Sequence, residues 1–70
     1  MNNQELKEAL LQRYPVAFRG ITYAYISAII YRCIGGKIEV SAELMDTTKN
    51  SVTIADSKFI TKEAGSRESV

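Results

Sequence analysis

The longest apolar stretch of the chain, residues 21–34, ends at a pair of glycines and constrains the fold more than any other feature. Its sequence is ITYAYISAIIYRCI, with Arg32 as its one charge. β-Branched and aromatic residues dominate it, a composition that favours strands. A membrane-spanning helix needs about twenty mainly apolar residues, so the stretch is too short to cross a bilayer. It predicts a long strand with apolar side chains on both faces.

The glycine pair Gly35-Gly36 predicts a β-hairpin between this strand and the next. Both glycines can adopt positive φ, as a two-residue type I′ turn requires. The run after them, KIEVSAELMD, alternates apolar and polar residues, as a strand with one buried face does. A two-residue turn fixes the pairing register. The expected cross-strand pairs are Ile34 with Lys37, Arg32 with Glu39, and Ile30 with Ser41.

This register assigns the apolar side chains of the hairpin to two faces. The expected core face carries Ile29, Tyr31, Cys33, Ile38, Val40, Ala42 and Leu44. The opposite face carries the candidate partner-binding residues, which are Ile26, Ala28, Ile30 and Met45. One more residue in the turn would exchange the faces and point Arg32 inward, so the shorter turn is preferred. The second apolar face is covered by the N-terminal helix, by a β-bulge that turns both sets inward, or by another chain.

A helix is predicted over residues 3–14, before the hairpin. Asn2 and Glu5 have the spacing of a capping box, and apolar residues then recur at helical intervals. Pro15 ends the helix because the residue before a proline is pushed out of the helical region.

Further short strands are predicted within residues 15–61. The run PVAFRGITY predicts two strands around Arg19-Gly20, joined by a two-residue turn or a bulge. The two-residue turn would place Val16, Phe18, Ile21 and Tyr23 on one side. The run SVTIA predicts a strand with Val52 and Ile54 inward, followed by a helical turn and a closing strand through Phe59 and Ile60. Residues 62–70 have little to bury and predict a disordered tail.

These elements predict one small α+β domain over residues 1–61. The N-terminal helix is followed by a four- to five-stranded antiparallel meander, which we expect to close into a small SH3-like barrel because closure removes exposed sheet edges. The alternative is an open four-stranded meander with the helix packed across one face.

Short chains are commonly stabilised by disulfides, by a metal or by a second subunit, and the composition of this chain favours the second subunit. The 70 residues include a single cysteine and no histidine, which excludes an internal disulfide and leaves no ligand set for structural zinc. No metal or cofactor is expected, and oligomerisation remains. The net charge of +1 gives no strong field toward nucleic acid or a membrane surface. The first residues lack the pattern of a signal peptide, so we expect a cytoplasmic protein.

No group of residues predicts catalysis or a small-molecule substrate. Histidine, the usual proton-transfer group, is absent. Glu39 and Glu43 share one strand face about 13 Å apart, and Arg32 is expected to pair with Glu39. Cys33 has no base beside it and is expected to be a buried small hydrophobe. We therefore expect a chain that is not an enzyme.

Two functions remain, and the first is a protein-interaction or small homo-oligomeric module that uses the apolar second face. The alternative is single-stranded nucleic-acid binding by a small barrel, because aromatic and basic residues interleave in the first half of the chain. Its candidate residues are Arg13, Tyr14, Arg19 and Tyr25. Against the alternative, Phe18, Tyr23 and Tyr31 are expected to face inward, and the charges are nearly balanced.

The run PVAFRGITYAYISAIIYR, followed by GKIEVSAELMD and NSVTIA, resembles a group of short uncharacterised proteins encoded in phages and conjugative elements of Gram-positive bacteria. The resemblance covers roughly residues 15–55 and consists of strand and turn positions, not of a catalytic motif. It implies a cytoplasmic accessory protein of a mobile element. The ending SVTIADSKFI is similar to the last strand, helical turn and closing strand of SH3-like barrels, a likeness of fold that does not fix function.

Overall fold

The computed structural model describes residues 1–63, which form one helix and six strands. The helix α1 spans Asn3–Gln12. The strands are β1 (Val16–Phe18), β2 (Ile21–Tyr23), β3 (Tyr25–Ile34), β4 (Lys37–Met45), β5 (Val52–Asp56) and β6 (Ile60–Lys62). A 3₁₀ turn, Ser57–Phe59, connects β5 to β6, so the strand, helical turn and strand predicted for this segment are present. The α+β class is confirmed.

The strands make two antiparallel three-stranded sheets that do not close into a barrel. The β1 sheet has the order β2-β1-β6, and the β4 sheet has the order β3-β4-β5. Strands of three residues in the β1 sheet offer too few backbone groups to pair along β3, which has ten. The closed SH3-like barrel is therefore not formed. The β4 sheet is an open meander with α1 against one face. This arrangement is closer to the predicted alternative, an open meander with the helix across one face, but it has three strands where the alternative had four.

Helix α1 begins at the predicted residues and ends earlier than predicted. The Asn2 side chain accepts from the Glu5 amide at 2.8 Å, and the Asn2 amide donates to Glu5 Oε1 at 2.9 Å, which completes the capping box. Arg13 adopts a left-handed conformation with φ 58° and donates to the Ala9 carbonyl at 2.8 Å. This C-cap ends the helix before Tyr14.

The β1–β2 connection is a two-residue turn, not a bulge. Arg19 and Gly20 both have positive φ, 54° and 77°, as a type I′ turn requires. Val16 pairs with Tyr23, and Phe18 pairs with Ile21, so the predicted shared side is confirmed. Val16 and Tyr23 are buried, but Ile21, beside the turn, is exposed.

The β3–β4 hairpin has the predicted two-residue turn and register. Gly35 and Gly36 have φ of 58° and 80°. The three predicted pairs are all present, namely Ile34 with Lys37, Arg32 with Glu39, and Ile30 with Ser41. Arg32 and Glu39 lie opposite each other across the strands, but the predicted ion pair between them is not formed. An ion pair joins Lys58 to Asp56 at 3.9 Å.

A β-bulge at Ser27 changes which side chains of β3 face the core. Ile26 pairs with Leu44 and Ala28 pairs with Glu43, so Ser27 is an extra residue without an opposite partner. Because the bulge shifts the alternation, Ile26 points inward together with Ile29. Ile26 is fully buried, so its assignment to the partner-binding face is wrong.

The core lies between α1, the inner face of the β4 sheet and the β1 sheet. Its buried residues are Leu6, Ala9, Val16, Tyr23, Ile26, Ala42, Leu44, Ala55 and Ile60. Val52 and Ile54 were predicted inward, but they pair with Met45 and Glu43. Opposite residues in a sheet share a face, and Met45 faces outward, so Val52 and Ile54 also face outward.

The last described residues complete the β1 sheet. Lys62, the first residue of the predicted tail, belongs to β6 and pairs with Val16 of β1, and the Glu63 amide donates to the Pro15 carbonyl at 3.1 Å. Phe59 belongs to the 3₁₀ turn and is exposed, whereas Ile60 is buried. The rest of the predicted tail, residues 64–70, lies outside the described residues. The helix in the described part is neither long nor apolar enough to cross a membrane.

Candidate interaction surface

The end of the β3–β4 hairpin, residues 31–39, is exposed at every position, and we name it the projecting hairpin. It nevertheless carries large apolar side chains. Tyr31 is 53% exposed, Ile34 52% and Ile38 70%. Within residues 1–63, no second layer of the protein covers these side chains.

The projection results from a mismatch of strand lengths. Strands β3 and β4 have ten and nine residues, but β5 has five and pairs with β4 only from Ser41 to Met45. The described chain is accordingly elongated, with extents of 43 × 25 × 21 Å. Tyr31 and Cys33 face the predicted side but lie beyond the core, so both are exposed. The expectation that Cys33 is buried is wrong.

The outer face of the β4 sheet carries a strip of apolar side chains, the outer apolar strip, on the side opposite α1. Its members are Ala28, Ile30, Met45, Val52 and Ile54. The first three, predicted as partner-binding residues, are half-buried, and Val52 and Ile54 are each 45% exposed. Ile26 is not part of the strip because the bulge turns it into the core. Val52 and Ile54 were missed as surface residues because the sequence pattern predicts that they point into the core.

Glu43 lies within the outer apolar strip and is held by the bulge. The Ser27 hydroxyl donates to Glu43 Oε1 at 2.7 Å and lies 3.3 Å from the Glu43 carbonyl oxygen. This side chain therefore has a structural partner, which reduces its availability for proton transfer or metal binding.

Within residues 1–63, no strand pairs with the first half of β4 on the side of β5, so this backbone edge is open in the described part of the chain. Ile34 and Lys37 flank the two-residue turn, and in such hairpins the flanking pair exchanges backbone hydrogen bonds. Bonded and non-bonded pairs then alternate, so Ile38 and Val40 direct their N–H and C=O groups away from β3. A cleft of about 240 Å³ lies beside this edge, bounded by Val40 and the 3₁₀ turn residues Ser57 and Lys58.

The candidate nucleic-acid-binding residues are brought together in part. The Arg13 guanidinium lies 4.6 Å from the centroid of the Tyr25 ring, a cation–π contact. Tyr14 adjoins Arg13 in the chain. Arg19 lies instead in the β1–β2 turn, 5.2 Å from the Phe18 ring. The structure therefore groups three of the four residues.

Lys62 joins this group, and sequence reasoning missed it because it was assigned to the tail. Its ammonium lies 4.6 Å from the Tyr14 ring centroid. Acidic residues are also near. Burial raises the pKa of the Tyr14 hydroxyl, and the Glu8 and Glu5 carboxylates raise it further. The local field is therefore mixed in sign, whereas a phosphate backbone binds best to a basic groove.

Within residues 1–63, no three cysteine or acidic side chains come close enough together to hold a metal ion. No protein-family model, curated protein or solved structure matches this chain.

Proposed function

We propose that this chain is a non-enzymatic protein-interaction module that uses the projecting hairpin as its contact element. The observation that carries the proposal is the exposure of residues 31–39 together with the apolar character of Tyr31, Ile34 and Ile38. An isolated two-stranded hairpin is marginally stable in water. A protein partner would cover these side chains and stabilise the strands that lie beyond the core.

The outer apolar strip supports the same function. Ile30 lies on the face that also carries Ile34, so the strip continues onto the projecting hairpin. The combined surface lies along the strands of a sheet and is not a deep pocket. Substrates and cofactors usually bind in concave sites, whereas extended apolar surfaces usually mark protein contacts. The surface therefore favours a protein partner over a small molecule.

The proposed setting is the cytoplasm, as an accessory protein of a mobile element. It rests on the resemblance of residues 15–55 to short proteins of phages and conjugative elements. Genes for phage assembly or conjugative transfer beside this one would support the setting. A location among unrelated chromosomal genes would count against it.

Photo-crosslinking in the cells that carry the gene tests the proposed function. A photoreactive amino acid is placed at Ile38, and the matched control carries it at Leu11, which lies on α1 and is 79% exposed. We expect a discrete crosslinked protein species from position 38 and none from position 11. Equal crosslinking from both positions, or none from position 38, would contradict the proposal.

The alternative function, single-stranded nucleic-acid binding, has one observation in its favour. Arg13 and Tyr25 are in contact, with Tyr14 and Lys62 beside them, which is a basic and aromatic group of the kind that stacks on bases. Fluorescence polarisation with mixed oligonucleotides at low salt tests it. Binding that falls with salt and is weakened by Tyr25→Ala, but not by Arg19→Ala, would support it. No salt-dependent binding would exclude it.

A further inference from the structure

We infer that the partner of the projecting hairpin is a second copy of this chain, paired antiparallel and edge to edge through residues 36–40. The inference rests on the proposed function and names its partner. The twofold axis passes beside Ile38, so that Ile38 of each copy lies opposite Ile38 of the other. The two β4 sheets then form one continuous sheet.

Backbone geometry makes this edge available. Strand β5 pairs with β4 only from Ser41 onward, and the N–H and C=O groups of Ile38 and Val40 point to the free side. A strand edge of this kind is a template for pairing with another chain. Pairing about Ile38 lets the two Ile38 residues exchange both of their backbone hydrogen bonds.

Charge complementarity selects this register. With Ile38 opposite Ile38, Lys37 of one copy lies opposite Glu39 of the other, and the symmetry creates this pair twice. The two positions flank the hydrogen-bonded pair and so form non-hydrogen-bonded pairs, in which the side chains are closest. Opposite charges directly across two strands stabilise the pairing, and like charges destabilise it.

The length of the free edge also fits. Val40 would lie opposite Gly36 of the second copy, and the next position, Ser41, is already paired with Asp56 of β5. The partner strand ends there in its own turn, so it does not compete with β5. The turn residues Gly35 and Gly36 have no side chains, and the cleft between Val40 and the 3₁₀ turn leaves space for them.

Strand β3 also has no second strand beside it among the described residues, but its edge fits a second copy less well. Within the projecting hairpin, the outward backbone groups of β3 belong to Tyr31 and Cys33. Pairing about Tyr31 would place Ile30 opposite Arg32, and pairing about Cys33 would place Arg32 opposite Ile34. Neither register brings opposite charges together. Helix α1 also packs against β3.

Charge-swap variants test the inference by sedimentation equilibrium of the purified chain. Lys37→Glu places two carboxylates across the interface, and Glu39→Lys places two ammonium groups there. We expect each single variant to dimerise about tenfold or more weakly than the wild type. An equal mixture of the two is expected to form heterodimers, because one chain then supplies both carboxylates and the other both ammonium groups.

The double variant Lys37→Glu/Glu39→Lys is the control for local effects of the substitutions. It keeps both attractive pairs across the interface, so we expect it to dimerise like the wild type, and circular dichroism checks that each variant is folded. A wild type that stays monomeric, or singles that associate no better when mixed than alone, would overturn the inference. In either case a crosslink from position 38 to a different protein would leave the proposed function standing.

Proline variants test which edge is used. Ile38→Pro removes an N–H that points away from β3, so the hairpin keeps its own hydrogen bonds while the interface loses one from each copy. Cys33→Pro does the same on the edge of β3 and is the matched control. We expect Ile38→Pro to be monomeric and Cys33→Pro to dimerise, with thermal melts confirming folding. The reverse pattern would overturn the assignment to β4.

Discussion

The bulge at Ser27 predicts that two isoleucines of β3 differ sharply in their contribution to stability. Ile26 and Ile30 are both at even-numbered positions, and a regular strand would place them on one face. The bulge instead puts Ile26 in the core, where it is fully buried, and leaves Ile30 half-buried on the outer face. Substituting each with alanine tests this difference directly.

Ile26→Ala should lower the free energy of unfolding by about 3 kcal/mol. The substitution deletes about three methyl or methylene groups at about 0.8 kcal/mol each, and the cavity it leaves adds to that loss, within the range of about 2–5 kcal/mol for such changes. A domain of this size has a total free energy of unfolding of about 3–10 kcal/mol, so about 30% or more of it would be lost. Ile30→Ala should cost about 1 kcal/mol or less.

Urea denaturation followed by circular dichroism measures both variants. The wild type and variants are compared at one protein concentration, because self-association would make stability depend on concentration. We expect a large fall in the urea midpoint for Ile26→Ala and a small one for Ile30→Ala, with unchanged slopes. Equal effects at the two positions, or a larger effect at Ile30, would refute the bulge and the inward position of Ile26.

Three further predictions concern single side chains. Hydrogen bonds from Thr48 hold the pKa of Asp46 below its ordinary value, so this carboxylate adds stability above about pH 4 that is lost as the pH falls through the lowered folded-state pKa. Urea midpoints across that range should show a weaker acid dependence for Asp46→Asn, and an unchanged dependence would contradict the contact. Ser27→Ala should lower the free energy of unfolding by about 1 kcal/mol through loss of the bond to Glu43, and Ser27→Thr, which keeps a hydroxyl, should lose less in the same denaturation assay. Cys33 should react with a thiol reagent in the folded protein about as fast as in urea, and protection on folding would show that it is buried.

Features that depend on neighbouring residues were predictable from the sequence. The two glycines fix a two-residue turn. This turn sets the cross-strand pairs from Ile34–Lys37 to Ile30–Ser41. The capping box at Asn2 and Glu5 likewise needs residues three apart. In both cases the determining interactions lie within a few residues, so the pattern carries the information.

Features that depend on distant partners were not predictable. Serine is not a signal for a bulge, and the shift at Ser27 follows from packing Ile26 and Ile29 into one core. The outward position of Ile54 depends on the register between β4 and β5, which the turn at residues 46–51 sets. The sequence predicts Lys62 to be part of a polar tail, because its strand partner, Val16, lies far away in the sequence.

The candidate surface was predicted in part for the same reason. Ala28, Ile30 and Met45 face outward as the alternation indicated. The exposure of Tyr31 and Cys33 could not be read from alternation, because it depends on how far β5 extends along β4. Whether a residue of β3 or β4 is buried therefore depends on where β5 stops, and the sequence marks strand ends poorly.

The pairing of β1 with β6 bears on how the chain folds during synthesis. β1 is the central strand of its sheet, and its second neighbour, residues 60–62, emerges only after the whole of the β4 sheet has been made. The helix and both hairpins can form early from local contacts, but β1 gains β6 as its second neighbour late, after closure of a long loop. Until then one edge of β1 stays open on the ribosome, and chaperone binding is expected to concentrate there.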